Sequence, residues 1–140
     1  MSNESLDATL VIKNALLASN LSKRVGGRLS IHGISFTEYL VMDYLANSGC
    51  EATTRIELAE SMGMSASGIT RLIAPMEKNG VIEKVVNPRD ARQSLVKLSK
   101  SGQQLYQDAK ASFEQVSKEL VGGLSESQKS KIIELYSKVF

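Results

Sequence analysis

The chain has 140 residues, enough for about one domain, and its 42% of hydrophobic and 23% of charged residues are ordinary for a largely helical protein. A single cysteine excludes an intramolecular disulfide, and a single histidine argues against a histidine-rich metal site, so we expect no metal. The formal net charge of +2 is too small to indicate a nucleic-acid partner by itself.

The first predicted helix carries an apolar stripe at spacings of four and seven residues. The stripe consists of Leu6, Leu10, Leu17, Leu21, Val25 and Leu29. This period is typical of a long amphipathic helix that buries one face. Gly26 and Gly27 lie near its end, and each glycine costs roughly 1 kcal/mol relative to alanine, so we expect the helix to bend or stop there.

A second helix has a strong start signal. Ser35 followed by Glu38 is a capping box, in which each side chain bonds a free backbone amide of the other residue. Ile34 and Tyr39 occupy the positions of a hydrophobic staple around it. The pattern predicts a helix that runs to about Asn47.

Two shorter helices follow. Thr54 and Glu57 form another capping box, which predicts a third helix over residues 55–62. A fourth helix is expected to begin around Ser65 and to end at the Asn-Gly pair of residues 79–80, which suits a left-handed stop.

The hydrophobic period then changes to that of strands. Residues 81–86 and 94–98 are rich in β-branched and apolar side chains, and turn-forming residues 87–90 lie between them, which predicts a hairpin. Residues 84–100 carry five basic side chains against Asp90 alone. This basic strip either faces phosphates or is a solvated surface.

Two helices complete the chain. Ser99 is the predicted cap of the fifth helix, which Gly122 and Gly123 end. Its apolar stripe consists of Leu105, Ala109, Phe113, Val116 and Leu120. Ser125 and Gln128 form a third capping box. The apolar face of the last helix consists of Ile132, Leu135, Tyr136 and Val139.

Residues 55–74 have the pattern of a helix-turn-helix motif. Its small and apolar positions are Leu58, Ala59, Met62, Gly63, Met64, Ile69 and Leu72. Ala59 is small where the second helix would cross the first, and Gly63 permits a left-handed turn. The pattern therefore predicts DNA binding, although an ordinary helical hairpin without DNA is the alternative.

The second helix of this motif would read the major groove. Its predicted inward residues are Ile69, Leu72, Ile73 and Met76. The predicted outward residues near its start are Ser65, Ala66, Ser67, Thr70 and Arg71. Arg71 can form two hydrogen bonds to guanine and is the expected base-reading residue, unless it forms a surface ion pair. The helix that Thr54 begins can bind phosphate through its free amides.

Several stretches between residues 58 and 102 form a specific combination. They are Leu58-Ala59-Glu60, Thr70-Arg71-Leu72-Ile73, Met76-Glu77-Lys78-Asn79-Gly80, Asn87-Pro88-Arg89-Asp90-Ala91-Arg92 and Leu95-Val96-Lys97-Leu98-Ser99. This combination resembles the multiple-antibiotic-resistance regulator (MarR) family. The resemblance implies a mainly α fold with a small β-hairpin wing: a winged helix-turn-helix plus a helical dimerisation domain.

The resemblance also implies the domain division and the function. Residues 1–34 and 100–140 would supply the dimerisation helices, and residues 35–99 the winged DNA-binding domain. The expected protein is a cytoplasmic homodimer that binds a palindromic double-stranded DNA operator and regulates transcription. Family habit favours a repressor that a small aromatic or phenolic effector releases.

The wing residues take their expected roles from the same resemblance. Arg92 would enter the minor groove and Asp90 would position it, while Arg89 and Lys97 would also contact the DNA; a solvated wing tip is the alternative. Three residues depart from the family pattern. Ala91 stands where a second basic residue is common, and Ser99 stands where threonine is usual. Pro75 is expected to kink the carboxyl half of the recognition helix.

An effector site is a further expectation, between the dimerisation helices and the winged domain. Its candidate residues are Leu29, His32, Phe36, Tyr39 and Met42. The same residues are equally suited to simple packing between helices.

Other classes of function have less support. No phosphate-binding loop, nucleophile elbow or metal-ligand spacing is present, so we expect neither an enzyme nor a cofactor. The chain lacks the run of about 18 apolar residues that a membrane span needs. A redox role of Cys50 is disfavoured by the neighbouring Glu51. A winged-helix module for protein assembly, without specific DNA readout, remains the main alternative.

Overall fold

Six helices and three short strands make up the computed structural model, which describes residues 5–48 and 52–139. The helices are α1 (Leu6–Leu29), α2 (Phe36–Asn47), α3 (Arg55–Met62), α4 (Ala66–Lys78), α5 (Lys100–Val121) and α6 (Glu126–Tyr136). The strands are β1 (Thr53–Thr54), β2 (Ile82–Val86) and β3 (Ser94–Leu98), and a short 3-10 turn (Ser30–His32) follows α1. This architecture confirms the mainly α fold with a hairpin wing. Cys50, for which a redox role was disfavoured, lies outside the described residues.

The helix starts follow the capping signals of the sequence. At α2, the Glu38 amide donates to the Ser35 hydroxyl at 3.1 Å, and the Ser35 amide donates to the Glu38 carboxylate at 2.9 Å. Ser125 and Gln128 make the same two bonds at α6. Because each box satisfies two backbone amides that the helix leaves free, these starts are fixed locally.

The sheet is antiparallel in the order β1-β3-β2. The predicted hairpin is confirmed, but β1 has no sequence signal, because two residues are too short to show a period. Thr53 of β1 pairs with Val96, which ties the start of α3 to the wing. The capping box expected at α3 is half formed: Thr54 accepts from the Glu57 amide, whereas the Glu57 carboxylate accepts from the Thr53 hydroxyl.

Helix α1 continues through Gly26 and Gly27 to Leu29, so the expected stop at these glycines is wrong. The flanking Val25 and Leu29 are buried in the core where α1 meets α5. Burial of two large side chains is worth more than the roughly 1 kcal/mol that each glycine costs a helix. Packing therefore overrides local propensity at this point.

The core joins the end of α1, the helices α2 to α5 and the sheet. Its largest fully buried side chains are Leu29, Tyr39, Val41, Met42, Leu58, Ile69, Ile73, Met76 and Val96. The first four turns of α1 and all of α6 contribute no buried side chain. Leu10 of α1 is 61% exposed and Ile133 of α6 is 69% exposed. Among the described residues, the apolar stripe of α1 is therefore buried only at its carboxyl end.

Two details of the helices complete the comparison. Helix α4 passes through Pro75, and the Asn79 amide donates to the Pro75 carbonyl at 2.9 Å, so the proline does not end it. Val139, expected on the last helix, lies beyond its end at Tyr136. Across residues 5–48 and 52–139, no helix is both long and apolar enough to span a membrane.

Candidate nucleic-acid interface

Helices α3 and α4 form the helix-turn-helix that the sequence predicts. Gly63 joins them in the left-handed region at φ 64°, and the Met64 amide donates to the Ala59 carbonyl at 2.9 Å. Leu58 and Ala59 are buried where the helices cross. A side chain at Gly63 would be strained by its backbone conformation, which explains why glycine suits this turn.

The outer face of the recognition helix α4 is polar at its amino end. Every residue predicted for the major groove is exposed there: Ser65, Ala66, Ser67, Thr70 and Arg71. Ile69, Ile73 and Met76 are buried on the opposite face, and Leu72 is half-buried. The predicted division between inner and outer residues therefore matches the structure.

The polar side chains of this face differ in whether they form hydrogen bonds within the chain. The Ser65 hydroxyl caps α4 by accepting from the Gly68 amide at 3.1 Å, and the Thr70 hydroxyl donates to the Ala66 carbonyl at 3.0 Å. Within the described part of the chain, Arg71 makes neither a hydrogen bond nor an ion pair. Its guanidinium is therefore available to an external acceptor.

The tip of the wing holds Arg92 in place through Asp90. The Asp90 carboxylate accepts from the Arg92 amide at 3.1 Å and from Arg92 Nε at 3.2 Å. The Arg92 side chain is nevertheless 93% exposed. One carboxylate oxygen thus orients the guanidinium and leaves its two terminal nitrogens free.

A second side chain organises the tip in the same way, and sequence reasoning did not single it out. The Asn87 side-chain oxygen accepts from the Arg89 amide at 3.0 Å, and its nitrogen donates to Gln93 across the turn at 3.2 Å. Asparagine commonly bonds the backbone two residues ahead, so the signal was present in the turn sequence.

The remaining predicted contacts lie nearer the base of the wing. Lys97 is half-buried on β3, paired in register with Glu83. Thr54 uses its hydroxyl to cap α3, so a phosphate contact there depends on backbone amides. Lys84, counted in the basic strip, lies 3.5 Å from the Glu77 carboxylate.

The candidate effector residues are brought together by the fold, three of them in the core. Leu29, Tyr39 and Met42 are buried. Phe36 lies at the edge, with its ring centroid 5.9 Å from that of Phe113. His32 Nε2 lies 2.7 Å from the Ser112 hydroxyl of α5. A ligand that reached the three buried residues would have to displace a packed neighbour.

An aromatic and polar cluster continues from these residues along α2 and α5. The Tyr39 and Tyr106 rings stack with centroids 5.5 Å apart, and the Tyr106 hydroxyl donates to Asp43 at 2.6 Å. Burial, with the neighbouring Tyr106 and Asp43, raises the pKa of Tyr39 well above its ordinary value of 10. Burial and the bond to Asp43 also raise the pKa of Tyr106.

An open groove of about 840 Å³ lies elsewhere, between the wing and the start of α5. It is lined by Glu83, Ser99, Lys100, Ser101, Gln104, Leu105 and Asp108. The expected effector residues do not line this groove.

Comparison with known proteins identifies a family model and sequence relatives. Residues 32–93 match the model of the MarR family, a segment that includes the helix-turn-helix and the wing tip. An uncharacterized HTH-type transcriptional regulator of Mycobacterium bovis is 28% identical over 123 residues, which cover 88% of this chain and 85% of that protein.

Solved structures share the fold over nearly the whole chain. A mutant MarR from E. coli complexed with operator DNA matches with a TM-score of 0.82 at 20% identity, covering 98% of this chain and 99% of that one. The organohalide-sensing regulator RdhR in its 2,4-dichlorophenol-bound form matches with a TM-score of 0.84 at 17% identity, covering 98% and 80%. Both are winged-helix folds, which the chain therefore shares.

Proposed function

We propose that this chain, whose residues 32–93 match the MarR family model, is a transcriptional regulator of that family and binds a palindromic double-stranded DNA operator as a homodimer. One observation carries the proposal. Two exposed arginines lie on separate elements, Arg71 on the recognition helix and Arg92 at the wing tip. Among the described residues, no internal contact occupies the terminal guanidinium nitrogens of either arginine.

The two arginines suit different grooves. An α-helix fits the major groove, where the Arg71 guanidinium can bond both O6 and N7 of a guanine. The narrow minor groove concentrates negative potential, which favours a single inserted arginine such as Arg92. Asp90 fixes the direction of that arginine before DNA arrives, and this lowers the entropy lost on binding. The proposed contacts of Arg89 and Lys97 add phosphate binding.

A second copy of the chain is the proposed partner of the exposed apolar faces. The exposed apolar residues of α1 and the carboxyl end are Leu6, Leu10, Val11, Leu16, Leu17, Ile133, Leu135, Tyr136 and Val139. The Tyr136 hydroxyl reaches the Asn14 side chain of α1 at 3.4 Å, so the two faces adjoin. Contiguous apolar surface of this kind is typical of an interface, and a two-fold dimer would place two recognition helices about one DNA turn apart.

Release by a small aromatic or phenolic effector is the proposed regulation, and repression the proposed outcome. The candidate residues Leu29, His32, Phe36, Tyr39 and Met42 are mainly apolar, with polar groups on His32 and Tyr39, and a ligand would enter by displacing a packed neighbour. The dichlorophenol of the RdhR structure is the kind of compound that suits such residues. A thermal-shift panel of phenols and aromatic carboxylates tests this part: a stabilising compound that weakens DNA binding supports it, and no response to any compound contradicts it.

The alternative, a winged-helix module for protein assembly, predicts a different outer face. An assembly surface would present apolar or acidic side chains on α4 and the wing. Val86 and Glu83 of β2 are exposed, but the face that the recognition helix and the wing tip present is mainly hydroxyl-bearing and basic: Ser67, Thr70, Arg71, Arg89 and Arg92. This composition favours DNA, and a regulator that acts on DNA would work in the cytoplasm.

Selection from a random duplex library tests the proposal. The purified protein is incubated with the library at about 0.15 M salt, and the retained duplexes are sequenced. Enrichment of a palindrome supports specific readout. Retention without enrichment, which fades as the salt concentration rises, would mean backbone binding only and would favour the assembly module.

A further inference from the structure

A carboxylate at the base of the wing lies between two cations. One oxygen of Glu77 is 3.1 Å from Arg55 Nη2, and the other is 3.5 Å from Lys84 Nζ. The Glu77 side chain is 20% exposed, against 30% for Arg55 and 57% for Lys84. Both carboxylate oxygens are therefore engaged in a partly desolvated place.

The cluster connects four elements of the winged domain. Glu77 lies in the last turn of α4, Arg55 is the first residue of α3, and Lys84 lies on β2. The other arm of Arg55 donates to the hydroxyl of Ser94, the first residue of β3, at 2.9 Å. Both helices of the helix-turn-helix and both strands of the wing are thus held by one set of contacts.

The cluster has a feature that stability alone does not explain. Arg55 Nε is buried without a hydrogen-bond partner among the described residues. A buried donor without a partner costs free energy, and the desolvation of a half-buried ion pair such as Arg55–Glu77 offsets much of its attraction. A planar guanidinium with two directed arms is instead suited to fixing an angle between the groups that it bonds.

We propose that Glu77, with Arg55 and Lys84, is a brace that fixes the wing relative to the recognition helix. The inference rests on the proposed function, because only a DNA reader needs Arg71 and Arg92 to reach two grooves together. A small rotation at the base of the hairpin becomes a large displacement at its tip. In this proposal Lys84 is paired with Glu77 and, although it belongs to the basic strip, does not contact a DNA phosphate.

The sign of the Glu77→Gln effect separates the brace from simple electrostatics. Loss of a carboxylate from a DNA-binding domain reduces repulsion of phosphates and should strengthen binding. The brace predicts the opposite for the operator: about tenfold weaker binding, with affinity for random duplex unchanged or higher. Glu60→Gln is the matched control, since Glu60 is exposed on α3 and has no ion pair among the described residues.

Lys84 supplies a second variant that does not depend on a buried site. If Lys84 contacted a phosphate, its removal would reduce the slope of log affinity against log salt concentration by about 1. The brace predicts that Lys84→Met weakens operator binding severalfold with an unchanged salt slope, and that Lys84→Arg restores it. Because Lys84 is largely exposed, we expect its variants to fold, and a thermal melt verifies this.

A distance measurement tests the brace without DNA. Spin labels at Ser67→Cys on α4 and Ala91→Cys on the wing, in a Cys50→Ser background diluted with unlabelled protein, report the spread of distances between the two elements. We expect a broader distribution with Glu77→Gln than with Glu60→Gln. Equal distributions would overturn the brace, as would a Glu77→Gln protein that binds the operator as tightly as the control. If the wild-type protein did not discriminate between duplexes, and Glu77→Gln still broadened the distance distribution, the proposed function alone would be contradicted.

Discussion

The guanidinium of Arg71 projects from the second turn of α4 with no internal partner in the described chain, and its contribution is measurable directly. Arg71→Ala is expected to weaken operator binding by about 1–3 kcal/mol and to relax specificity at one base pair, because only the contact to a base edge is lost. Competition binding against single-base operator variants measures both effects.

Lys97→Ala is the control for this prediction, since loss of a phosphate contact weakens all sequences alike and lowers the salt slope. If Arg71→Ala weakened operator and random duplex by the same factor, Arg71 would be a phosphate ligand and the base-reading role would be wrong.

Asp90 is expected to act through Arg92 and not on DNA itself. Asp90→Ala should weaken operator binding even though it removes a negative charge, because the Arg92 guanidinium loses the bond from Nε that orients it and the Arg92 amide loses its acceptor. A double-mutant cycle checks this by anisotropy titration: Asp90→Ala should cost little in an Arg92→Ala background. Equal costs in both backgrounds would mean that the two residues act independently.

Sequence reasoning predicted these candidate DNA contacts better than the ion pairs at the base of the wing. Arg71 followed from the inner and outer faces of a helix, and Arg92 and Asp90 from a family resemblance. The contacts of Glu77 with Arg55 and Lys84 were not predicted because they join α4 to two other elements, α3 and β2. The Arg55–Glu77 pair is 22 residues apart in the chain, and such a separation leaves no periodic signal.

Helix α5 begins so close to Val81, the residue before β2, that glycine is required at position 102. A β-carbon at Gly102 would lie 2.0 Å from the Val81 carbonyl oxygen, whereas one at Gly27 of α1 would meet nothing within 4 Å. Gly102→Ala is therefore expected to lower the free energy of unfolding by about 1–3 kcal/mol or more, as overpacking does.

Gly27→Ala is the control and should raise the free energy of unfolding by about 0.5–1 kcal/mol, since alanine is the better helix former. Denaturant unfolding of the two variants gives both values. A Gly102→Ala protein as stable as the wild type would contradict the close approach of α5 to Val81.

The stack between α2 and α5 makes stability depend on pH in the alkaline range. The pKa of Tyr39 lies above its ordinary value of 10 in the folded chain, so the unfolded chain loses this proton first as the pH rises. Stability is therefore full below about pH 10 and falls above it, by at most about 1.4 kcal/mol per pH unit for this group.

Tyr39→Phe keeps the ring and removes the titrating group, so its unfolding free energy should fall less steeply above pH 10. Urea unfolding at several pH values measures the slope. Identical slopes in the variant and the wild type would mean that Tyr39 titrates normally.

Local signals account for most of the helices and the hairpin. The capping boxes at Ser35 and Ser125 fix two starts, and Gly63 fixes the turn of the helix-turn-helix. What the sequence does not reveal depends on tertiary contact. Strand β1 exists because β3 is beside it, and α1 passes Gly26 because its flanking residues pack on α5.

The exposed apolar surface and the proposed DNA-reading surface lie on different parts of the chain. The first four turns of α1 and the carboxyl end expose leucine, isoleucine and valine side chains, whereas the outer face of α4 and the wing tip expose mainly hydroxyl and basic groups. The proposed dimer would bury the apolar surface and present two copies of the DNA-reading surface. Sequence patterns predicted both surfaces, but only the fold shows that α1 and α6 adjoin through Asn14 and Tyr136.

The proposal that two copies read one palindrome is tested most directly by a titration on defined duplexes. The wild-type protein is titrated at about 0.15 M salt against the selected palindrome and against a duplex with one half-site scrambled, with the mass of each complex measured by light scattering. The account predicts two chains per duplex. It also predicts at least about 30-fold weaker binding to the scrambled duplex: specific sites are typically bound at least about 10³-fold more tightly than random DNA, and scrambling one half-site removes about half of that free-energy difference. One chain per duplex, or equal affinity for both duplexes, would contradict it.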